Sequence, residues 1–288
     1  MKRVVVVFLL VLSIVAGLGA CAQPSTPTAT PTPTQSTPTP SSPAPTPSSP
    51  SPTPSTAMPT PSTLPAKVVT IGTAPEYPPM EYIDDAGAMV GFDIDLVNEL
   101  GKIAGYQMKW EKVAWDGIFA SLKANKVDLI ASAVTITNER ANEMDFVGPY
   151  LESGQGIVIK KTTTSIKGPA DLKGKKVGVQ KGTTGDEAAT AMEGLTVERY
   201  EDILLAFKDL ENDRIDAVVN DVPVNAYQIL RSNANLIQIA EKFTTEDYGY
   251  AIRKGDSQLM QDFTFALQKA MFDGTYQRVY EKWFGKAP

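Results

Sequence analysis

The chemistry open to this chain is limited first by the residue types it lacks. Its 288 residues contain no histidine and a single cysteine, Cys21. A zinc site of histidine and cysteine, a Ser-His-Asp triad and a Cys-His dyad are therefore excluded. A disulfide within the chain is excluded as well. Any binding chemistry must come from carboxylates, guanidinium groups, amides, hydroxyls and the backbone.

Arg140 is the first candidate among these groups. It ends the segment Ala131-Ser-Ala-Val-Thr-Ile-Thr-Asn-Glu-Arg140, which continues through Met144-Asp-Phe to Gly148-Pro-Tyr150. A guanidinium group offers a planar fork that binds a carboxylate through two hydrogen bonds. An ion pair with Glu139 or Glu143 would use the same group, so the position alone leaves both interpretations open.

Two later segments offer complementary groups. Val179-Gln-Lys-Gly-Thr-Thr-Gly185 follows a predicted strand and opens a predicted helix, so its free backbone N–H groups and the helix dipole favour an anion. It lacks the Gly-Lys-Ser/Thr ending of a phosphate loop, and nothing else indicates a nucleotide site. Asp216-Ala-Val-Val-Asn-Asp-Val-Pro223 contains Asp221, which could cap the helix that begins at Val222.

Composition divides the chain into three parts. An apolar leader and an uncharged tract rich in proline, serine and threonine precede a mixed, globular part that begins near Lys67. The globular part is long enough for one large domain or two modest lobes. The formal net charge is −6, which argues against nucleic acid as a partner.

The leader, residues 1–21, has the form of an export signal. Lys2 and Arg3 supply the positive end and an apolar run follows. Leu18-Gly-Ala-Cys21 resembles the lipobox at which a lipoprotein signal peptide is cut. A transmembrane anchor is the alternative, because the apolar run reaches the short limit for spanning a bilayer. By the lipoprotein resemblance, Cys21 becomes the acylated N-terminus that anchors the chain to membrane lipid.

The tract of residues 22–66 predicts a disordered tether. It contains 15 of the 22 prolines and no charged residue. Such a sequence cannot bury enough apolar surface to offset the entropy of ordering. As a semi-extended polyproline-like chain it would reach on the order of 140 Å. An SH3-type ligand or a glycosylated stalk is the alternative.

The globular part alternates strand and helix patterns, which predicts parallel α/β sheets with helices on both faces. The predicted strands are 68–72, 108–113, 127–134, 156–159, 176–179 and 215–219. The predicted helices are 93–104, 116–124, 184–192, 203–210, 222–230 and a last helical segment, 256–288. Gly105 is expected to close the first helix, Asp256 or Ser257 to cap the last segment, and Gly274 to interrupt it.

One segment makes the pattern specific. Gly91-Phe-Asp-Ile-Asp-Leu-Val-Asn-Glu-Leu-Gly-Lys-Ile-Ala104 combines a turn glycine, an acidic helix start and an apolar face. It resembles the signature of bacterial extracellular solute-binding proteins of family 3, among them glutamine-binding proteins. The segments around Arg140, Gln180 and Asp221 and the ending Gly274-Thr-Tyr-Gln-Arg-Val-Tyr-Glu-Lys-Trp-Phe-Gly285 follow in the family's order.

The resemblance implies a fold and its boundaries. Members have the type II periplasmic-binding-protein fold, in which two α/β lobes, each a mostly parallel sheet flanked by helices, are joined by a two-strand hinge around a ligand cleft. Carried onto this chain, lobe 1 comprises residues 67–153 and 249–288, and lobe 2 comprises residues 154–248. The hinge would lie near residues 152–156 and 246–250, and closure about it is the expected motion.

The resemblance also implies a site. A free amino acid needs a guanidinium fork and backbone donors for its carboxylate, and a carboxylate with further oxygen acceptors for its ammonium group. The positions matched to the family's ligand site are Tyr77, Trp115, Ala133, Thr135, Arg140, Gln180, Thr184, Asn220 and Asp221. Arg140 and Thr184 would bind the carboxylate, Asp221 the ammonium, and Thr135 with the backbone at Ala133 either group.

Selectivity would depend on the remaining positions. Tyr77 and Trp115 match positions where members place rings against the ligand side chain, although either ring could be core. Members that bind cationic amino acids often carry an aspartate where this chain has Ala74, with Glu76 nearby as a substitute. Gln180 and Asn220 can both donate and accept, as an amide requires. A polar uncharged ligand, glutamine first, is therefore expected.

The function implied is that of a monomeric, lipid-anchored, extracytoplasmic receptor, in the periplasm or at the cell surface. It would deliver a polar amino acid to the permease of an ABC importer in the cytoplasmic membrane, without cofactor, metal or catalysis. Two alternatives remain: a sensor that presents ligand to a membrane signalling partner, and an enzyme of the same fold resembling cyclohexadienyl dehydratase, with Glu76, Asp116 or Asp221 as acid or base.

Overall fold

The computed structural model describes residues 67–232, 235–239 and 243–286. The predicted signal peptide, Cys21 and the tether of residues 22–66 lie outside these residues. Among the residues described, no helix combines the length and apolar character needed to cross a membrane.

Thirteen strands and eight α-helices are seen in the described part of the chain. The strands are Lys67–Thr73 (β1), Glu76–Tyr77 (β2), Glu81–Ile83 (β3), Met89–Val90 (β4), Tyr106–Lys112 (β5), Leu129–Ile130 (β6), Met144–Ser153 (β7), Gln155–Lys160 (β8), Lys176–Gln180 (β9), Thr196–Tyr200 (β10), Ala217–Asp221 (β11), Leu236–Gln238 (β12) and Glu246–Arg253 (β13). The helices are Phe92–Ala104 (α1), Trp115–Lys123 (α2), Asn138–Glu143 (α3), Thr184–Thr190 (α4), Ile203–Glu211 (α5), Val222–Arg231 (α6), Ser257–Phe272 (α7) and Thr275–Phe284 (α8). A 3-10 turn covers Pro169–Leu172.

The strands form two five-stranded sheets with the same plan. Sheet 1 has the order β5-β1-β6-β13-β7 and sheet 2 the order β10-β9-β11-β8-β12. In each sheet the first three strands are parallel, whereas β13 in sheet 1 and β8 in sheet 2 pair antiparallel with both neighbours. Four strands of each sheet therefore run one way, which confirms the predicted mostly parallel arrangement.

Helices cover both faces of each sheet, as predicted. On β6 of sheet 1, Leu129 packs into the core that contains α1 and α7, and the next residue, Ile130, packs into the core that contains α2. On β11 of sheet 2, Val218 faces α5 and Val219 faces α4. Successive side chains of a strand point to opposite faces, so one strand supplies both cores.

The two sheets are connected by neighbouring strands. Strand β7 of sheet 1 passes through Gly154, at φ 152°, directly into β8 of sheet 2. The returning strand β13 pairs with β7 along its length, with Glu246 opposite Ser153 at the crossing. This arrangement is the two-lobed fold with a two-strand hinge.

A third, three-stranded sheet of β2, β3 and β4 leads into α1. Gly91 precedes the helix at φ 147°, and a Cβ there would lie 2.1 Å from the carbonyl oxygen of Met80. Only glycine fits this turn. The N–H of Asp93 then donates to that same carbonyl at 2.9 Å, so the first turn of α1 lies against the start of β3.

Several predicted boundaries hold and others change. Gly105 adopts the left-handed conformation and closes α1, and the side chain of Asp256 caps α7 through the N–H of Leu259. The strand predicted at 127–134 shrinks to Leu129–Ile130, and the one at 215–219 begins at Ala217. The last segment is two helices, separated at Gly274.

Candidate ligand-binding site

A cavity lies between the two sheets. It is lined by residues from both: Ala74, Glu76, Tyr77, Glu81, Trp115, Ser132, Ala133, Thr135, Arg140, Gln180, Thr183, Thr184 and Asp221. Eight of the nine residues predicted for the site are among them. Asn220 is the exception, because its side chain lies behind the wall, where its Oδ1 accepts from the hydroxyl of Tyr77 at 2.8 Å.

Arg140 lies on α3, which was absent from the sequence prediction. Thr137 caps this helix by accepting from the N–H of Arg140 at 3.2 Å. The guanidinium donates to the carbonyl oxygen of Thr135 at 3.0 Å and lies 5.6 Å from the ring centre of Trp115 and 5.1 Å from that of Phe119. Such stacking favours a guanidinium and fixes the direction of its fork.

The ion-pair interpretation of Arg140 is not what the structure shows. Glu143 instead pairs with Lys123 at 2.6 Å. Burial lowers the pKa of the Arg140 guanidinium, and the carboxylates of Glu187, Asp221 and Glu246 act in the opposite direction. The guanidinium is therefore a partly desolvated cation that faces the cavity, which strengthens its attraction for an anion.

Asp221 is the carboxylate on the other side of the cavity. It is buried at the end of β11 and accepts from the hydroxyls of Tyr77 and Tyr248, each at 2.6 Å, and from the amide of Gln155. Asp221 occupies the N-cap position of α6, as the alternative interpretation predicted, but its side chain makes no capping hydrogen bond and bonds instead to groups beside the cavity. Burial, with the nearby carboxylate of Glu246, raises its pKa to about 6. A cation that entered the site would hold this group ionised.

Glu246 connects the two sheets beside the cavity. Its carboxylate accepts from the hydroxyls of Thr135 and Thr184, each at 2.8 Å, and from the amide of Gln155 at 3.1 Å. A ligand carboxylate would compete with Glu246 for the two threonine hydroxyls. Sequence reasoning missed this residue, because an acidic residue at a strand start carries no signal of its own.

The turn before α4 offers fewer free donors than expected. The N–H of Gly182 donates to Asp186 at 3.1 Å, and the N–H of Asp186 donates to the capping Thr183 at 3.2 Å. The amide of Gln180 donates to the carbonyl oxygen of Glu201 at 3.2 Å. The general expectation of an open anion-binding turn is therefore met only in part.

Two more of the predicted positions form hydrogen bonds to groups of the protein itself. The N–H of Ala133, which has a φ of 47°, donates to Asp93 at 2.9 Å, so it is not available to a ligand. The indole of Trp115 reaches across the cavity to the carbonyl oxygen of Gly182 at 3.3 Å. Tyr77 and Trp115 both line the cavity, as the ligand-contact interpretation requires.

Glu81 is the lining residue that sequence reasoning missed most clearly. Its side chain is fully buried at the floor of the cavity, where it accepts from the hydroxyl of Ser132 at 2.9 Å. A glutamate next to Met80 and Tyr82 looks like an ordinary strand residue in the sequence. The cavity thus carries one guanidinium, Arg140, and the carboxyl groups of Glu76, Glu81 and Asp221.

This geometry can hold a zwitterion. Arg140 on one side would face an α-carboxylate, and Asp221 with the hydroxyl of Tyr77 on the other side would face an α-ammonium group. The lining then retains two carboxyl groups, Glu76 and Glu81, for the rest of the ligand.

The fold and this site define the chain as a bacterial extracellular solute-binding protein. It matches the model of bacterial extracellular solute-binding proteins, family 3, over residues 69–286, and it belongs to this family. Its relatives include the probable histidine-binding protein of Neisseria gonorrhoeae, which is 35% identical over 228 residues that cover 77% of this chain and 85% of that protein.

Solved structures agree. An ancestral arginine-binding protein bound to arginine is 40% identical, with a TM-score of 0.73 over 76% of this chain and 98% of that one. The same values hold for an ancestral arginine-binding protein bound to glutamine. The ancestral amino acid-binding protein AncCDT-1, a precursor of cyclohexadienyl dehydratase, is 38% identical, with a TM-score of 0.72 over 75% of this chain and 95% of that one.

Proposed function

We propose that this protein is an extracytoplasmic receptor that captures a polar amino acid between its lobes and delivers it to the permease of an ABC importer. The observation that carries the proposal is the placement of Arg140 and Asp221, one cation and one anion, within one cavity. A free amino acid presents the complementary pair of charges. The resemblance to histidine- and arginine-binding relatives supports the same class of ligand.

The ligand side chain would lie toward Glu81, between the rings of Tyr77 and Trp115. A cationic side chain, arginine first, fits the two carboxyl groups that remain after Asp221 has met the ammonium group. Glutamine, which the amides of Gln180 and Asn220 suggested, is the second candidate. Asn220 lies outside the lining, but ancestral arginine-binding proteins similar to this chain have been solved with arginine and with glutamine.

The setting of the receptor is part of the proposal. Lobe 1 would comprise residues 67–153 and 249–288, and lobe 2 residues 154–248. Lipid on Cys21 would hold the chain on the membrane, and the tether of residues 22–66 would give the lobes their reach. The receptor would act as a monomer. It would act without catalysis, because the four charged groups of the cavity lining, Arg140, Asp221, Glu76 and Glu81, would all be used in binding.

A thermal-shift panel tests the proposal. The purified protein would be heated with each of the twenty amino acids and with prephenate. A ligand at 100 times its Kd stabilises a protein by about 2.7 kcal/mol. We expect the largest shift with arginine and a smaller one with glutamine. Deletion of the gene should then reduce cellular uptake of the same amino acid.

Two outcomes would contradict the receptor. If no amino acid shifted the unfolding temperature, the assignment of a free amino acid as the ligand would be wrong. Conversion of prephenate would favour the dehydratase alternative, for which the resemblance to AncCDT-1 gives the reason to look. A shift without any effect on uptake would instead support the sensor.

A further inference from the structure

Two carboxyl groups at and below the floor of the cavity lie within hydrogen-bond reach of each other. Glu81 begins β3 and Asp93 lies in the first turn of α1, and both are completely buried. The backbone brings them together, because the N–H of Asp93 donates to the carbonyl oxygen of Met80, the residue before Glu81. Only Glu81 of the two lines the cavity.

The hydrogen bonds around this pair leave one oxygen of each group without a donor. Asp93 Oδ2 accepts from the N–H of Ala133 and the hydroxyl of Tyr150, each at 2.9 Å. Glu81 Oε1 accepts from the hydroxyl of Ser132 at 2.9 Å. Glu81 Oε2 and Asp93 Oδ1 accept no hydrogen bond of ordinary geometry from the described residues. The buried hydroxyl of Tyr250, which acts on Asp93 as a hydrogen-bonding neighbour, can serve Asp93 but leaves Glu81 Oε2 without a partner. Buried oxygens rarely stay unsatisfied, and a hydrogen between these two would satisfy both.

The groups around the pair disfavour the ionisation of Glu81 and Asp93 at the same time. The groups that act on the pair are Glu76 from β2, Tyr150 from β7, Asp221 from β11, Tyr250 from β13 and Tyr276 from α8. Each of them is acidic or neutral. Two buried negative charges without a cation would cost far more than their neutral hydrogen bonds return.

Titration of the pair agrees with this geometry. Burial raises the pKa of Asp93 to about 7, and the bonds from Ala133 and Tyr150 act in the opposite direction. Burial and the charge of Asp93 raise the pKa of Glu81 well above its usual range. The two groups titrate as one unit.

We propose that Glu81 and Asp93 share one proton at neutral pH, and that a cationic ligand side chain displaces this proton whereas a neutral amide leaves it in place. The proposal rests on the receptor function above. In the exchange, the O–H bond of the shared proton breaks, the proton passes to solvent buffer, and the ligand's guanidinium takes over the carboxylate of Glu81. The net charge of the floor is the same before and after.

Calorimetry of the purified protein tests this exchange. L-arginine and L-glutamine would be titrated at pH 7 in phosphate and in Tris, whose ionisation enthalpies differ. Arginine should release close to one proton per site and glutamine close to none. As the pH rises toward the value at which the pair loses its shared proton, arginine affinity should increase by up to about tenfold per pH unit. Glutamine affinity should not change over the same range.

A variant and a spectrum complete the design. In Glu81→Gln, an amide N–H replaces the shared proton and keeps the hydrogen bond to Asp93. Arginine binding by this variant should release no proton, and the ratio of arginine affinity to glutamine affinity should fall. The infrared band of a protonated carboxylic acid should be present in the ligand-free wild type at pH 7 and absent from Glu81→Gln.

The outcomes separate the two proposals. Arginine binding without proton release, or a ligand-free wild type without the acid band, would overturn the shared proton and leave the receptor standing. No binding heat with any amino acid would contradict the receptor itself, while the infrared band would still report on the pair.

Discussion

Arg140 is held by two rings and one carbonyl oxygen, and this determines which substitutions it tolerates. Arg140→Lys keeps the charge but loses the planar fork and the stacking on Trp115 and Phe119. We expect amino acid affinity to fall by more than tenfold, roughly 1.4 kcal/mol, in calorimetry. Arg214→Lys, at an exposed ion pair with Asp209, is the matched control and should bind normally. Unchanged affinity in Arg140→Lys would contradict the role of Arg140 in ligand binding.

Asp221 gives the second prediction at this scale. Asp221→Asn keeps the shape but removes the counter-charge for a buried ammonium group, so binding should weaken by roughly 2 to 5 kcal/mol.

The same substitution should affect the folding stability of the ligand-free protein in the opposite direction and make the variant more stable than the wild type above about pH 4. Because the folded pKa of about 6 lies above an unfolded value of about 3.9, the wild type loses stability relative to the variant as pH rises from about 4 to 6, by about 3 kcal/mol. Urea unfolding of both proteins across this range measures the difference, and parallel curves would contradict the raised pKa.

Most residues of the site could be predicted from the sequence, but Glu81 at the floor of the cavity could not. Arg140, Thr184 and Asp221 stand out because each follows a recognisable motif. Glu81 and Glu246 do not, since a carboxylate at the start of a strand has the pattern of a surface residue until its neighbours are known. The free N–H predicted at Ala133 is used by Asp93, which is a contact across 40 residues that local patterns cannot reveal.

At the scale of elements, the turn into α1 makes the sharpest prediction. Gly91→Ala would bring a Cβ to 2.1 Å from the carbonyl oxygen of Met80, at a φ that other residues avoid. We expect a loss of roughly 2 to 5 kcal/mol in unfolding free energy, measured with urea. Gly117→Ala, in α2, meets no atom within 4 Å and should be neutral or stabilising by up to about 1 kcal/mol. Equal effects at both positions would contradict the strain at Gly91.

Helices were easier to predict than strands, for a physical reason. The apolar period of α1 and the caps at Gly105 and Asp256 are local signals, and all three appear in the structure. The crossing strands β7 and β13 are determined by pairing between distant segments. The strand expected at 127–134 ends early because Ala133 turns to a φ of 47° and bonds to Asp93.

At the scale of the whole molecule, two tyrosines connect the lobes outside the cavity. Tyr82 lies on the small sheet beside lobe 1 and Tyr227 on α6 beside lobe 2, with ring centres 6.0 Å apart. The ring of Tyr82 also packs edge-on against Trp283 of α8 at 6.1 Å. Neither tyrosine lines the cavity. The pair is therefore a contact between the lobes that lies apart from the ligand cavity.

Removal of this contact should affect every ligand alike. Tyr227→Ala should lower the affinity for arginine and glutamine by the same factor, roughly three- to tenfold, because an aromatic pair contributes about 0.5 to 1.5 kcal/mol. Stopped-flow fluorescence should show faster dissociation. Tyr227→Phe retains the ring and serves as the control. A change in the ratio of the two affinities would show that Tyr227 acts on selectivity instead.

Recognition of both α-charges of a free amino acid is the central claim, and calorimetry with truncated ligands tests it most directly. Arginine should bind the purified protein with one site per chain. Agmatine, which lacks the α-carboxylate that Arg140 would bind, should bind at least a hundredfold more weakly, about 2.7 kcal/mol. If agmatine binds as tightly as arginine, the cavity does not recognise the α-carboxylate of an amino acid, and the role assigned to Arg140 is wrong.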